Sequence, residues 1–304
     1  MKRLLMASAV FAWGALPHLA SAQADQPSAT LDQFSASETP EDDFHLSRPT
    51  DLGHLRWGAQ LHLDYALNPL VFEQRLGESG SEGFSIVEHH LVGTVGASLG
   101  LFDRVVVYGG LPVTLVMDGA SESEIGARPF AAADGAGLGD AYLGGRVRIW
   151  GEDDDAFVIG AQATLTLPTA GVPNDPFYRG ERSVSFLPEV LAELRPGFGW
   201  RIVANVGARI REEDPPGATN VTYGHQLTLG LGAAIPVWTD EADPRTHVDA
   251  HAQVYGATTF AHAFDREHTP FEWTVGAKLF HASGLMVGLA GGSGFTRGFG
   301  SPDL

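Results

Sequence analysis

The stretch WRIVANVGARIR, residues 200–211, decides the fold. Every second residue from Trp200 is apolar: Ile202, Ala204, Val206, Ala208 and Ile210 follow it. The intervening file, Arg201, Val203, Asn205, Gly207, Arg209 and Arg211, carries three arginines. A helix would spread both files around its circumference, whereas a β-strand sends them to opposite faces. Three arginines are too many for the core of a soluble sheet. The apolar file has the length of a tilted strand crossing a bilayer, roughly 9–11 residues. The segment therefore reads as one wall strand of a barrel that is apolar outside and wet inside.

Ten more segments repeat the pattern, at 54–65, 85–99, 105–117, 140–149, 157–166, 184–195, 226–235, 247–254, 272–279 and 285–295. Segment 105–117 is apolar on both faces, so alternation gives it no orientation. The connections are sorted by length. Short ones (101–104, 151–155, 196–199, 239–245, 282–284) alternate with long ones (68–83, 118–135, 169–182, 212–222, 261–270). Outer-membrane barrels have short periplasmic turns and longer outer loops, and a soluble sandwich has no reason to sort its loops in this way. The expected fold is all-β, a transmembrane antiparallel up-and-down barrel of about 12 strands. Eleven strands are visible, and bacterial single-chain barrels have even counts, so a twelfth is expected beyond Leu304.

Composition narrows the function. A net charge of −18 argues against nucleic acid, whose phosphates recruit lysine and arginine. Without cysteine there is no disulfide framework, thiol nucleophile or thiolate metal site. Lys2 and Arg3, the apolar run 4–16 and Ala20-Ser21-Ala22 form a secretory signal over residues 1–22, with the mature chain starting at Gln23. Residues 23–53, centred on Glu41-Asp42-Asp43, read as an acidic flexible periplasmic leader in preference to a plug entering the lumen. Residues 54–304 are the barrel. No other apolar run reaches 18 residues, so any crossing of a membrane would be by strands.

Catalytic and metal motifs are weak. Gly96-Ala97-Ser98-Leu99-Gly100 matches a nucleophile elbow, but it lacks the strand-to-helix turn that the motif requires. His247, Asp249 and His251 share a strand face, and His262, Asp265 and His268 share a loop, each without a further strong ligand at a defined spacing. No catalysis, cofactor or metal is expected. The inward files carry the informative chemistry: Arg56, Arg146, Arg148, Arg195, Arg201, Arg209, Arg211 and Lys278 against Asp64, Glu88, Asp140, Glu189, Glu193, Asp249 and Glu272. Unpaired charges in a narrow barrel are costly, so the near-balance predicts a constricted, weakly selective lumen crossed by ion pairs.

Asp64-Tyr65-Ala66 with Asn68-Pro69-Leu70-Val71, Gly137-Leu138-Gly139-Asp140, Leu167-Pro168-Thr169 and the tail Gly298-Phe299-Gly300-Ser301-Pro302-Asp303 carry a resemblance. Over residues 45–304 the chain is similar to the amino-terminal barrel of OmpA-family outer-membrane proteins of Gram-negative bacteria. It resembles more loosely a barrel family linked by name to phenol degradation and assigned to transport. The calcium-binding repeats and peptidoglycan-binding domain that follow the OmpA-like barrel have no counterpart here. The resemblances imply a structural or porin-like role in the outer membrane, in contact with lipid and lipopolysaccharide. The alternatives are a transport barrel for small or apolar solutes and a secreted soluble β-sandwich. Trp57, Trp200 and Trp273 near strand ends fit the aromatic girdle of a membrane barrel better than a sandwich core.

Overall fold

The computed structural model describes residues 31, 34–75, 81–121, 135–152, 154–170, 178–181, 183–212, 224–265 and 268–296, the side chains of 72–75 and 81–84 excepted. Residues 1–22, expected as a secretory signal, and the tail after 296 lie outside these residues. Twelve strands form one sheet: β1 Trp57–Arg75, β2 Ser81–Leu101, β3 Val105–Gly119, β4 Gly137–Leu138, β5 Ala141–Trp150, β6 Phe157–Leu167, β7 Ser185–Gly197, β8 Trp200–Arg209, β9 Gln226–Thr239, β10 His247–Thr259, β11 Phe271–Phe280 and β12 Met286–Gly294. Neighbours in sequence pair antiparallel throughout, and the two-residue β4 sits beside β3 off the main path. The architecture is that of an up-and-down β-barrel wall. Eleven full-length strands coincide with the eleven segments read from alternation.

Alternation sets the two faces. Across β7, β8 and β9 the row Ala192–Ala204–Leu231 lies one residue from the row Leu191–Asn205–Gly230. Leu191 and Val203 are fully buried and Asn205 is nearly so, whereas Val190, Val206 and Leu231 on the other face are exposed. A soluble protein rarely leaves so continuous an apolar surface in water, and lipid is the solvent that suits it. Aromatic side chains gather at the short-turn end: Trp57, Phe102, Trp150, Phe198, Trp200 and Trp238 are all exposed there.

Two sequence expectations change. Of residues 68–83, expected as a long loop, 68–75 and 81–83 are strand, because β1 and β2 run on for 19 and 21 residues, and 76–80 lie outside the described residues. Asn68-Pro69 reads as a turn signal, yet here it marks register shifts between Leu67 and Val71, with Asn68 at φ 51°. Segment 105–117 gains its orientation: Val106 and Tyr108 point inward and are buried with Leu52, while Val107 and Leu115 point out.

The largest departure concerns the supposed periplasmic leader. Residues 34–52 lie inside the curve of the sheet, with Thr39, Asp42, Asp43, Leu46 and Ser47 almost completely buried. A flexible leader does not describe them. Composition misleads here because the same acidic and hydroxyl side chains that dissolve in water also match a charged, polar lumen.

Candidate functional site

The inner segment is a small knot tied by its own polar groups. Asp42 N–H donates to the Thr39 carbonyl at 3.1 Å, and the Asp42 carboxylate accepts from Thr39 N–H at 3.0 Å and Arg48 N–H at 2.8 Å. Ser37 Oγ donates to the Asp43 carbonyl at 2.7 Å. The knot thereby satisfies groups that burial would otherwise orphan. The chain then leaves by the short-turn end, where Leu55 N–H donates to the Gly100 carbonyl at 2.8 Å and β1 begins.

Strands all round the wall hold the knot. From β5, Arg146 donates to both Asp42 oxygens at 2.9 and 2.7 Å and to Glu38 at 3.1 Å. Such fork-to-carboxylate contacts are the strong kind. From β6, Gln162 donates to Ser47 at 3.1 Å, and from β10 the Gln253 carbonyl accepts from His45 N–H and Leu46 N–H at 3.1 and 3.2 Å. From β11, Lys278 Nζ donates to the Asp42 carbonyl at 2.6 Å and to those of Pro40 and Asp43 at 3.3 Å. The knot reaches out in turn, Arg48 donating to Glu193 of β7 at 2.7 and 3.0 Å. Asp43 lies 3.0 Å from His251 Nδ1 and 3.8 Å from Arg201.

Shape matches charge. A methyl group on Gly232 would stand 2.9 Å from Leu46, on Gly58 2.9 Å from Pro40 and on Gly288 2.7 Å from Phe44. On Gly230 it would collide with Leu46 outright. These inward glycines on β1, β9 and β12 are sockets for apolar knobs of the knot. Beside it lies a space of about 60 Å³, bordered by Glu189, Asn205 and Arg209. A larger cleft of about 1260 Å³ separates β1 from β12, which do not pair with each other among the described residues.

Burial tunes the knot's own groups. Removal from water pushes the Glu38 carboxyl up to about 7, against the pull of Arg146 and with a further push from Asp42 and Glu189. It pushes His45 down to about 4. Burial also opposes ionisation of Asp43, but His251, Arg201 and Arg48 outweigh it and hold that carboxyl below its usual range.

Of the inward charges read from the sequence, Arg146, Glu193, Arg201, Asp249 and Lys278 cluster at the knot. Arg195 donates to Glu193 at 2.6 Å, and Arg201 to Asp249 at 2.7 Å. Arg148 sits at the short-turn mouth, 2.9 Å from Asp51, and Arg56 lies there 3.9 Å from Glu41 and mostly exposed. Asp140 and Arg211 belong to the outer rim. Asp140 accepts from Ala170 and Glu181 N–H, and Arg211 donates to Glu181 at 2.5 Å. Glu189 and Arg209 flank the small space; Asp64 borders the β1–β12 cleft, as does the buried Glu272. Glu88 is the exception: a register shift between Val87 and His89 leaves it exposed beside His89, outside the lumen. Sequence reasoning missed Glu38, Asp42, Asp43, Leu46 and Arg48. Their signal was the phrase Glu41-Asp42-Asp43-Phe44-His45-Leu46-Ser47-Arg48, acidic, apolar and basic in turn, facing strands rich in inward glycine and arginine.

Known proteins agree with this architecture. The family model described as "Putative MetA-pathway of phenol degradation" matches residues 78–298, and the chain belongs to that family. The looser of the two resemblances is thus the one that holds, and nothing in the comparisons supports the OmpA-like one. Among solved structures, the chain is similar to an outer membrane channel from Pseudomonas putida F1, at 16% identity and a TM-score of 0.60, covering 84% of this chain and 92% of that one. That likeness concerns the fold. No curated protein matches.

Proposed function

We propose that the protein is an outer-membrane channel whose lumen is closed by its own residues 34–52, and that it passes small polar solutes when that segment withdraws. The seating of Asp42 carries this reading: Arg146 grips its carboxylate and Lys278 its carbonyl, from opposite walls. The outward apolar files support a wall bathed in lipid, with lipopolysaccharide as the proposed neighbour of the outer loops. A charged and hydroxyl-rich interior speaks for polar solutes over apolar ones. No catalytic step is invoked.

Absence of native cysteine makes the test simple. A Cβ on Gly160 would lie 3.0 Å from that of Pro49, closer than the roughly 3.5–4.5 Å of natural disulfides by a margin that a small backbone shift closes. Pro49→Cys with Gly160→Cys should tether the plug to β6. In planar bilayers, oxidised protein should be silent and reduced protein should conduct. Equal conductance in the two states would overturn the proposal.

A further inference from the structure

The wall neutralises some of its charges only in part, and the plug supplies their closest partners. Arg201 has Asp249 and Arg195 has Glu193, both wall partners. On the wall Arg146 hydrogen-bonds to the neutral Gln162 at 3.2 Å, with the Glu189 charge further off, and its ion-pair partners are Asp42 and Glu38 of the plug. Lys278 stands across from Asp249 in the β10–β11 register, but its hydrogen bonds go to plug carbonyls. His251 is buried with Nδ1 against Asp43, and Arg201 Nε, Arg201 Nη2 and His251 Nε2 have no hydrogen-bond partner among the described residues.

Withdrawal of residues 34–52 removes Glu38, Glu41, Asp42, Asp43 and Asp51 together with one compensating cation, Arg48. It leaves Arg146 and Lys278 facing each other across the space Asp42 occupied, with His251 and Arg201 beside them. Two buried cations that lose their nearest anions are costly in a narrow, low-dielectric passage, and Glu189 and Asp249 on the wall offset only part of that cost. Any mobile anion that can reach them relieves that cost.

We infer that the seat of Asp42-Asp43 is a binding site for small organic dianions bearing two carboxylates, and that the opened channel is selective for anions. The plug's adjacent aspartates are the internal occupants of this site. One carboxylate takes the Arg146 fork, where two parallel N–H donors match its two oxygens. The other meets His251 and Arg201, with Lys278 between them. A solute that binds only the open state shifts the equilibrium towards it, so the dianion also favours opening. The balanced, weakly selective lumen expected from the wall sequence gives way to an anion-selective one, because Glu88 stands outside the lumen and Asp140 belongs to the outer rim, which leaves cations in surplus at the level of the seat.

This inference rests on the plugged-channel reading, and the test separates the two. The full chain is studied in bilayers beside Gly230→Val, which removes the Leu46 socket without altering any charge. Retained heat-shifted gel mobility shows that the variant barrel is folded. In a potassium chloride gradient, Gly230→Val should conduct more often than the native chain and reverse on the chloride side. Succinate should block its chloride current, acetate far less. Arg146→Gln in the Gly230→Val background should weaken succinate block about tenfold, the loss expected for a charge-assisted contact. Open events that reverse on the potassium side, or equal block by succinate and acetate, overturn the dianion site while the plugged channel stands. A folded Gly230→Val barrel that never conducts more than the native chain overturns the plug reading itself.

Discussion

At the scale of single residues, the lumen shows how far a sequence can be read by side-chain chemistry alone. Arg146, Glu193, Arg201, Asp249 and Lys278 were legible as inward charges because alternation assigns a face before any partner is known. Their partners were not legible, since Asp42 stands 104 residues from Arg146 and only three-dimensional closure joins them. Glycines such as Gly230 and Gly288 were visible too, but a missing side chain does not say what fills the space. Glu38 gives a prediction at this scale. It faces Arg146 of β5, Gln162 of β6 and Glu189 of β7, with Asp42 and Ser47 beside it in the plug. Its carboxyl is raised from the ordinary value to about 7, so its contribution to seating is complete below that ordinary value and is lost as pH rises through about 7. His45 works in the opposite sense. Depressed to about 4, it supports seating above its ordinary value and loses that support as pH falls towards 4. Glu38→Gln should therefore abolish the rise in open probability between pH 6 and pH 8, leaving only the acid-side opening due to His45. An unchanged alkaline limb in Glu38→Gln bilayer recordings would show that Glu38 is not its source.

At the scale of the strand, what was legible depended on contrast between the two faces. Residues 200–211 carry arginine on one face and aliphatic residues on the other, so β8 could be placed and oriented at once. Strand β3 could not, because its inward Val106 and Tyr108 pack against Leu52 of the plug and are as apolar as its lipid face. The outer ends of β1 and β2 were obscured for another reason. Asn68-Pro69 is a strong turn signal, and a bulge accommodates it without ending the strand. The faces of β8 make a direct prediction. Ala204 lies on the outward row between Ala192 and Leu231, and Asn205 is buried on the inward one. Ala204→Arg should impair assembly, since a cation near the bilayer midplane costs about 2–4 kcal/mol on the lipid face. Asn205→Leu should assemble and keep its heat-shifted mobility on gels. Normal assembly of Ala204→Arg alongside failure of Asn205→Leu would invert the face assignment.

At the scale of the whole molecule, the plug and the wall depend on each other at one place. Eleven full-length strands, each antiparallel to the next, leave β1 and β12 running in the same direction, and the cleft between them holds two edges unpaired with one another. Unpaired edges are the weak part of any sheet, more so in lipid. The plug spans this cleft: Pro40 fits against Gly58 and Ser37 accepts from Gln60, both on β1, while Phe44 fits against Gly288 on β12 and beneath Lys278 on β11. It is thus a strut between the two edges as well as a stopper. Opposite the cleft, β6 to β9 are paired on both sides and need no such support. Local opening follows the least protected backbone, so the two regions should answer differently when the strut is released. In hydrogen-exchange measurements, Gly230→Val should expose the plug amides and, with them, amides along β1 and β12. The amides of β6 and β7, away from the substituted strand, should keep their native protection. Faster exchange spread evenly around the wall would mean that Gly230→Val had loosened the barrel generally. Plug exposure with β1 and β12 unmoved would show that the two edges are secured by something other than residues 34–52.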